Sequence, residues 1–95
     1  MIDFEIPEDA KAVRNKVRKF VQEECHPVEE ICTADNFEET LAGLRTKSRE
    51  QGLWCPFVPV EHGGMGLGPL ANALVQMELG ESFLGALAMN TQGPD

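Results

Sequence analysis

Residues 44–67 read LRTKSREQGLWCPFVPVEHGGMGL, and this stretch decides how the chain is divided. Its opening residues continue a helical pattern in which Phe37, Leu41 and Leu44 share one face, and Gly52 supplies a stop signal. From Leu53 to Gly68 the periodicity is lost. Pro56, Pro59, Gly63, Gly64, Gly66 and Gly68 interrupt it, while Trp54, Phe57 and Val58 remain as apolar anchors. That combination predicts a structured loop packed over a core. The two prolines also argue against a central strand over 53–60.

Toward the N-terminus, Asn36 with Glu39, or Asp35 with Glu38, has capping-box spacing, and a helix is expected over 37–51. Residues 27–36 read as a connection. Before it, Ala10, Val13, Val17, Phe20 and Val21 recur at helical spacing behind Pro7, Glu8 and Asp9, so an amphipathic helix is expected over 8–25. Pro27 should stop it near Cys25 and His26. Lys11, Arg14, Lys16, Arg18 and Lys19 lie away from the apolar stripe and read by default as a solvated face.

Toward the C-terminus, Gly68-Pro69 opens a helix expected over 69–80, with Gly80 as its end. A short helix over 82–89 should follow, holding Phe83, Leu84, Ala86, Leu87, Ala88 and Met89, and then Thr91 to Asp95 without a capping polar element. Both are apolar on nearly every side, and such helices need cover. Residues 70–89 are therefore expected to dock onto further domains, a second copy of the chain, or a ligand with a long apolar part. The fold class is all-α, a small bundle of about four helices forming one domain over 1–95.

Composition narrows the function. The net charge of −8 argues against nucleic acid and anionic membranes as partners. No apolar run approaches a membrane span of roughly 20 residues. Cys25, Cys32 and Cys55 are odd in number and form no CxxC, and no signal peptide precedes them, which favours reduced thiols and a cytoplasmic protein. Gly64-Met65-Gly66-Leu67-Gly68 is spaced GxGxG, follows prolines and has no basic residue after it, so a backbone turn outranks a dinucleotide loop. Cys25, His26, Cys32 and His62 lack the paired spacing of a zinc site. Nothing orients Cys25-His26 for nucleophilic catalysis. Glu61-His62 reads as a polar turn rather than an acid–base pair.

Three stretches together resemble the N-terminal domain of acyl-CoA dehydrogenases: residues 4–27 (FEIPEDAKAVRNKVRKFVQEECHP), residues 44–67, and residues 70–80 (LANALVQMELG). The middle one, with its Gly-Leu-Trp entry and Pro-x-Glu-His-Gly-Gly-x-Gly turn, is the most specific. The closing NTQGPD is similar to the segment that leads into the rest of that domain. Met77 replaces the family's usual glutamate before Glu78-Leu79-Gly80, and His62 its usual turn aromatic.

The resemblance implies an FAD-dependent oxidoreductase acting on acyl-CoA in fatty acid metabolism. In the family, most FAD contacts and the catalytic glutamate lie in later domains. No matching motif occurs here, so no catalytic, cofactor-binding or metal residue is assigned, and the isolated chain is expected to be inactive and to bind no FAD. The family's N-terminal domain helps to wall the acyl-chain cavity and to pack subunits. The matching positions are Phe83, Leu84, Leu87 and Ala88, which otherwise read as plain core. The leading expectation is a fragment or truncated form of such an enzyme, without the middle β-domain and C-terminal helical domain. The alternative is a free-standing, non-catalytic helical module that self-associates through residues 70–89. A small acyl-binding protein would need a closed pocket that four short helices form poorly.

Overall fold

A computed structural model describes residues 6–91; Phe4 and Glu5 of the first matching stretch and residues 92–95 of the closing one lie outside the described residues. The fold is all-α, with no strand among the described residues. Helix α1 spans Glu8–Phe20, a π-helical turn spans Val21–Cys25, and α2 spans His26–Glu29. Helix α3 spans Phe37–Glu50, α4 spans Pro69–Leu79, and α5 spans Gly85–Ala88.

Pro27 does not stop the first rod, contrary to the expectation of an end near Cys25. Proline has no N–H, and its ring presses on the carbonyl four residues back, that of Glu23. The turn just upstream is widened instead: the His26 N–H reaches the Val21 carbonyl, five residues back. The helical path then continues to Glu29.

Gly52 ends α3 as expected, at φ +76°. The Gly52 N–H donates to the Arg49 carbonyl (3.1 Å) and the Leu53 N–H to the Ser48 carbonyl (2.8 Å), the paired bonds of a Schellman motif. Leu53 is thereby turned into the core, where it is fully buried. The same motif closes α5, where the sequence showed no capping element. Asn90 takes the left-handed position (φ +54°), its N–H donating to Leu87 and that of Thr91 to Ala86. Gly80, by contrast, follows α4 in a right-handed conformation.

Two further expectations change. The capping box at Asn36 is not formed. Its side-chain oxygen accepts instead from the Thr33 N–H (2.8 Å), closing a turn in front of α3. The last helix begins at Gly85, not 82: residues 82–84 form a turn in front of it, closed by the Gly85 N–H donating to the Ser82 hydroxyl (2.9 Å).

The core gathers Val17, Phe20, Val21 and Cys25 from the first rod, Leu44 from α3, Val75 and Leu79 from α4, and Leu84, Ala88 and Met89 at the end. Polar links fasten its margins. Arg18 Nε donates to Glu78 (2.5 Å), His26 Nε2 pairs with the Glu81 carbonyl (2.9 Å), and Lys47 meets Glu24 (2.9 Å). Arg18 stays exposed, on the solvated face that the sequence assigned to the basic residues of α1, while pairing with Glu78.

Candidate functional site

The candidate acyl-cavity residues divide by placement. Leu84 and Ala88 are fully buried in the core, whereas Phe83 is 62% and Leu87 38% exposed. The separation follows from helical spacing: 84 and 88 share the inward side of the last turn, and 83 and 87 the outward side. Helix α4 shows the same split. Asn72, Val75 and Leu79 face inward, while Leu70 and Met77 stay exposed, Met77 at 72%. Being apolar all round therefore resolves into one covered and one uncovered side. Leu70 and Met77 are exposed within the 70–89 stretch that the sequence marked for docking, outside the four positions it matched to the acyl wall.

This end is held in place by Glu29. One of its carboxylate oxygens accepts from the Ser82 hydroxyl and from the Leu84 N–H (3.0 Å). Arg45 of α3 donates through Nε to the Leu87 carbonyl (3.0 Å), satisfying a terminal carbonyl of α5. Both contacts join residues more than forty apart, so local patterning could not reveal them.

The glycine-rich loop is tied to itself. Gly64 N–H donates to Pro59, Met65 to Cys55, Gly66 to Val58 and Leu67 to Pro56, all within 3.1 Å. Phosphate cradles require backbone amides pointing at the ligand; these point at the loop's own carbonyls. The glycines serve close approach. A Cβ on Gly64 would lie 2.2 Å from the Val58 carbonyl oxygen, and Gly63 and Gly66 have φ of +87° and +64°. The amides of residues 64–67 are therefore not free to cradle a diphosphate such as that of FAD, and Lys and Arg are confined to positions before Glu50.

Cys25, His26, Cys32 and His62 are dispersed. Cys25 is fully buried, Cys32 half-buried, His26 bonded to Glu81 and His62 exposed. Among the described residues, no three His, Cys, Asp or Glu side chains form a metal-holding group. Burial pushes the Cys25 thiol up to about 11, with Glu29 and Glu24 adding to the rise and a Ser82 hydrogen bond opposing it. A thiol held protonated in this way is a core residue, not a nucleophile.

The surface depressions are shallow. One of about 230 Å³ lies between the π turn and the end of α4, lined by Arg18, Gln22, His26, Glu78 and Glu81. Within it Arg18 pairs with Glu78, and His26 Nε2 meets the backbone carbonyl of Glu81. Among the described residues, no helix is long and apolar enough to cross a membrane.

The chain belongs to the acyl-CoA dehydrogenase family: residues 7–93 match the family described as "Acyl-CoA dehydrogenase, N-terminal domain". Neither a curated protein nor a solved structure matches it.

Proposed function

We propose that this chain serves as the N-terminal helical domain of an FAD-dependent acyl-CoA dehydrogenase. In that role the outward side of α5, Phe83 and Leu87, forms part of the acyl-chain wall, with Leu84 and Ala88 as the core layer behind it. Residues 70–89 pack against the enzyme's remaining domains. The observation that carries the reading is the exposure of the apolar side chains Met77, Phe83 and Leu87 on a chain that matches the acyl-CoA dehydrogenase N-terminal domain. Covering such surface is favourable by roughly 25 cal/mol per Å².

FAD, when bound by the later domains, supplies the acceptor for the electrons removed from the acyl chain. This chain contributes shape and the exclusion of water, not an acid, base or phosphate ligand. The experiment is coexpression with the middle and C-terminal domains of a family member. A flavin-containing complex should form, and Leu87→Ala should shift its acyl-chain-length preference. Failure to copurify, or an unchanged preference in both Leu87→Ala and Phe83→Ala, would count against the role.

A further inference from the structure

The outer side of α3 carries a charge pattern at its two ends, Glu38 and Arg49, that the core does not use. Glu38, Leu41, Ala42, Arg45 and Arg49 recur at spacings of three and four, so they line one strip of the helix. The strip borders an open groove of about 540 Å³ that also includes Phe37 and Thr46. Glu38, Ala42 and Arg49 are exposed, and Leu41 and Arg45 half-buried. Glu38 forms no ion pair among the described residues. Arg49 lies over the Trp54 ring, 4.1 Å from its centre. That stacking, and the Arg45–Leu87 bond, hold both arginines in place instead of leaving them as free-swinging chains.

The strip is acidic at the start of the helix, holds Leu41, Ala42 and the Leu87-bound Arg45 in the middle, and is basic at the end. The arrangement suits the helix dipole, and it is also self-complementary. Two copies laid antiparallel about a two-fold axis between positions 43 and 44 place Glu38 opposite the partner's Arg49, twice. Leu41 then faces the partner's Thr46, and Ala42 faces the partner's Arg45. Glu38 and Arg49 lie about 16 Å apart along the helix at 1.5 Å per residue, so the two ion pairs bracket the contact. Ala42 at the centre allows close approach of the axes, and the antiparallel dipoles attract.

We propose that this strip pairs two copies of the chain through an isologous antiparallel α3–α3 contact. The strip meets α5 through the Arg45–Leu87 bond but shares no residue with the α4–α5 side assigned above to the rest of the enzyme, and the proposal does not rest on that assignment. A single helix pair is smaller than a standard interface of about 1,200–2,000 Å². The dimer is accordingly weak, reversible and salt-sensitive.

The test is sedimentation equilibrium of the full chain from micromolar to millimolar concentration, with circular dichroism to verify folding. The expected result is a monomer–dimer equilibrium that Glu38→Arg or Arg49→Glu each weakens about tenfold or more, as placing like charges opposite each other requires. Mixing the two single variants should restore dimer, because each strand of the mixed pair then meets opposite charges. Loss of packing cannot produce that rescue. Met77→Lys, on the other face, should leave the equilibrium unchanged. A folded monomer at every concentration would overturn the proposal. So would a dimer indifferent to the charge variants, or one abolished by Met77→Lys, or a mixture that fails to associate.

Discussion

The Cys55 N–H donates to the Met89 carbonyl over 2.8 Å, fastening the start of the glycine-rich loop to the end of α5. Cys55 adopts a left-handed conformation (φ +49°) to do so, a backbone that non-glycine residues enter at a cost of about 1 kcal/mol or more. The side-chain amide of Asn90 adds a second tie to the Cys55 sulfur (3.3 Å). The loop thus belongs structurally to the apolar end of the molecule.

The loop's rigidity gives a contrast between two glycines. Gly64→Ala would force a methyl onto the Val58 carbonyl and should destabilise the domain by about 2–3 kcal/mol, lowering the melting midpoint by roughly 10 °C. Gly43 lies inside α3 with open space where its Cβ would stand. Gly43→Ala should stabilise by about 0.5–1 kcal/mol, the usual penalty of glycine within a helix. Thermal melts of both variants decide the matter. Equal midpoints would mean that Gly64 does not make the close contact.

Local rules explain what was legible in the sequence. The starts of α1 and α4 follow their proline signals, α3 begins after Asn36 as its spacing implied although the capping box is absent, and Gly52 ends α3 as a left-handed residue should. Pro27 misled because the wide π turn moves the cost of the proline upstream, and no residue type marks such a turn. Asn36 misled because Thr33 offers its side-chain oxygen a nearer donor. For the candidate site, helical spacing alone separates Phe83 and Leu87 from Leu84 and Ala88. Which pair faces inward is set by Glu29 and Arg45, reaching from distant helices, and that is a tertiary fact.

Glu29 is the residue on which the placement of α5 depends most directly. Removing its carboxylate leaves the Ser82 hydroxyl and the Leu84 N–H without their acceptor in a half-buried setting. Glu29→Ala should cost about 1–3 kcal/mol in urea unfolding. Hydrogen exchange gives the sharper readout. Amides at 84–88 should exchange faster in the variant, while those of α3 keep their protection below the global limit. Uniform acceleration of both would show that Glu29 does not act locally.

Flavin binding tests the reading of the loop. The amides of Gly64, Met65, Gly66 and Leu67 are occupied by carbonyls at 55–59, and no Lys or Arg occurs beyond Glu50. Purified with excess FAD and passed through a desalting column, the isolated chain should show no flavin absorbance. A stoichiometric yellow protein would mean that those amides reorient, and the loop would have to be reread as a cofactor site.

Cys25 links the core to pH. Its thiol has an ordinary value of 9.0 and is pushed up to about 11 in the folded domain, chiefly because burial disfavours the thiolate. Between those values the unfolded chain has lost the proton and the folded chain retains it, so raising pH favours unfolding. The stability present below pH 9 should fall across pH 9–11 by about 2–3 kcal/mol if this group acts alone, at roughly 1.4 kcal/mol per pH unit. Lysine and other groups titrate in the same range, so the wild-type curve is compared with that of Cys25→Ala. The variant should start less stable, by about 1–2 kcal/mol for a small buried side chain. Its urea midpoint should decline less steeply from pH 9 to 11, and the two curves should converge. The sign is the decisive feature. Parallel curves, or a steeper decline in the variant, would show that the Cys25 thiol does not carry the alkaline loss of stability. Modification of native protein at pH 8 gives an independent check: iodoacetamide should label the half-buried Cys32 and leave Cys25 untouched until denaturant is added.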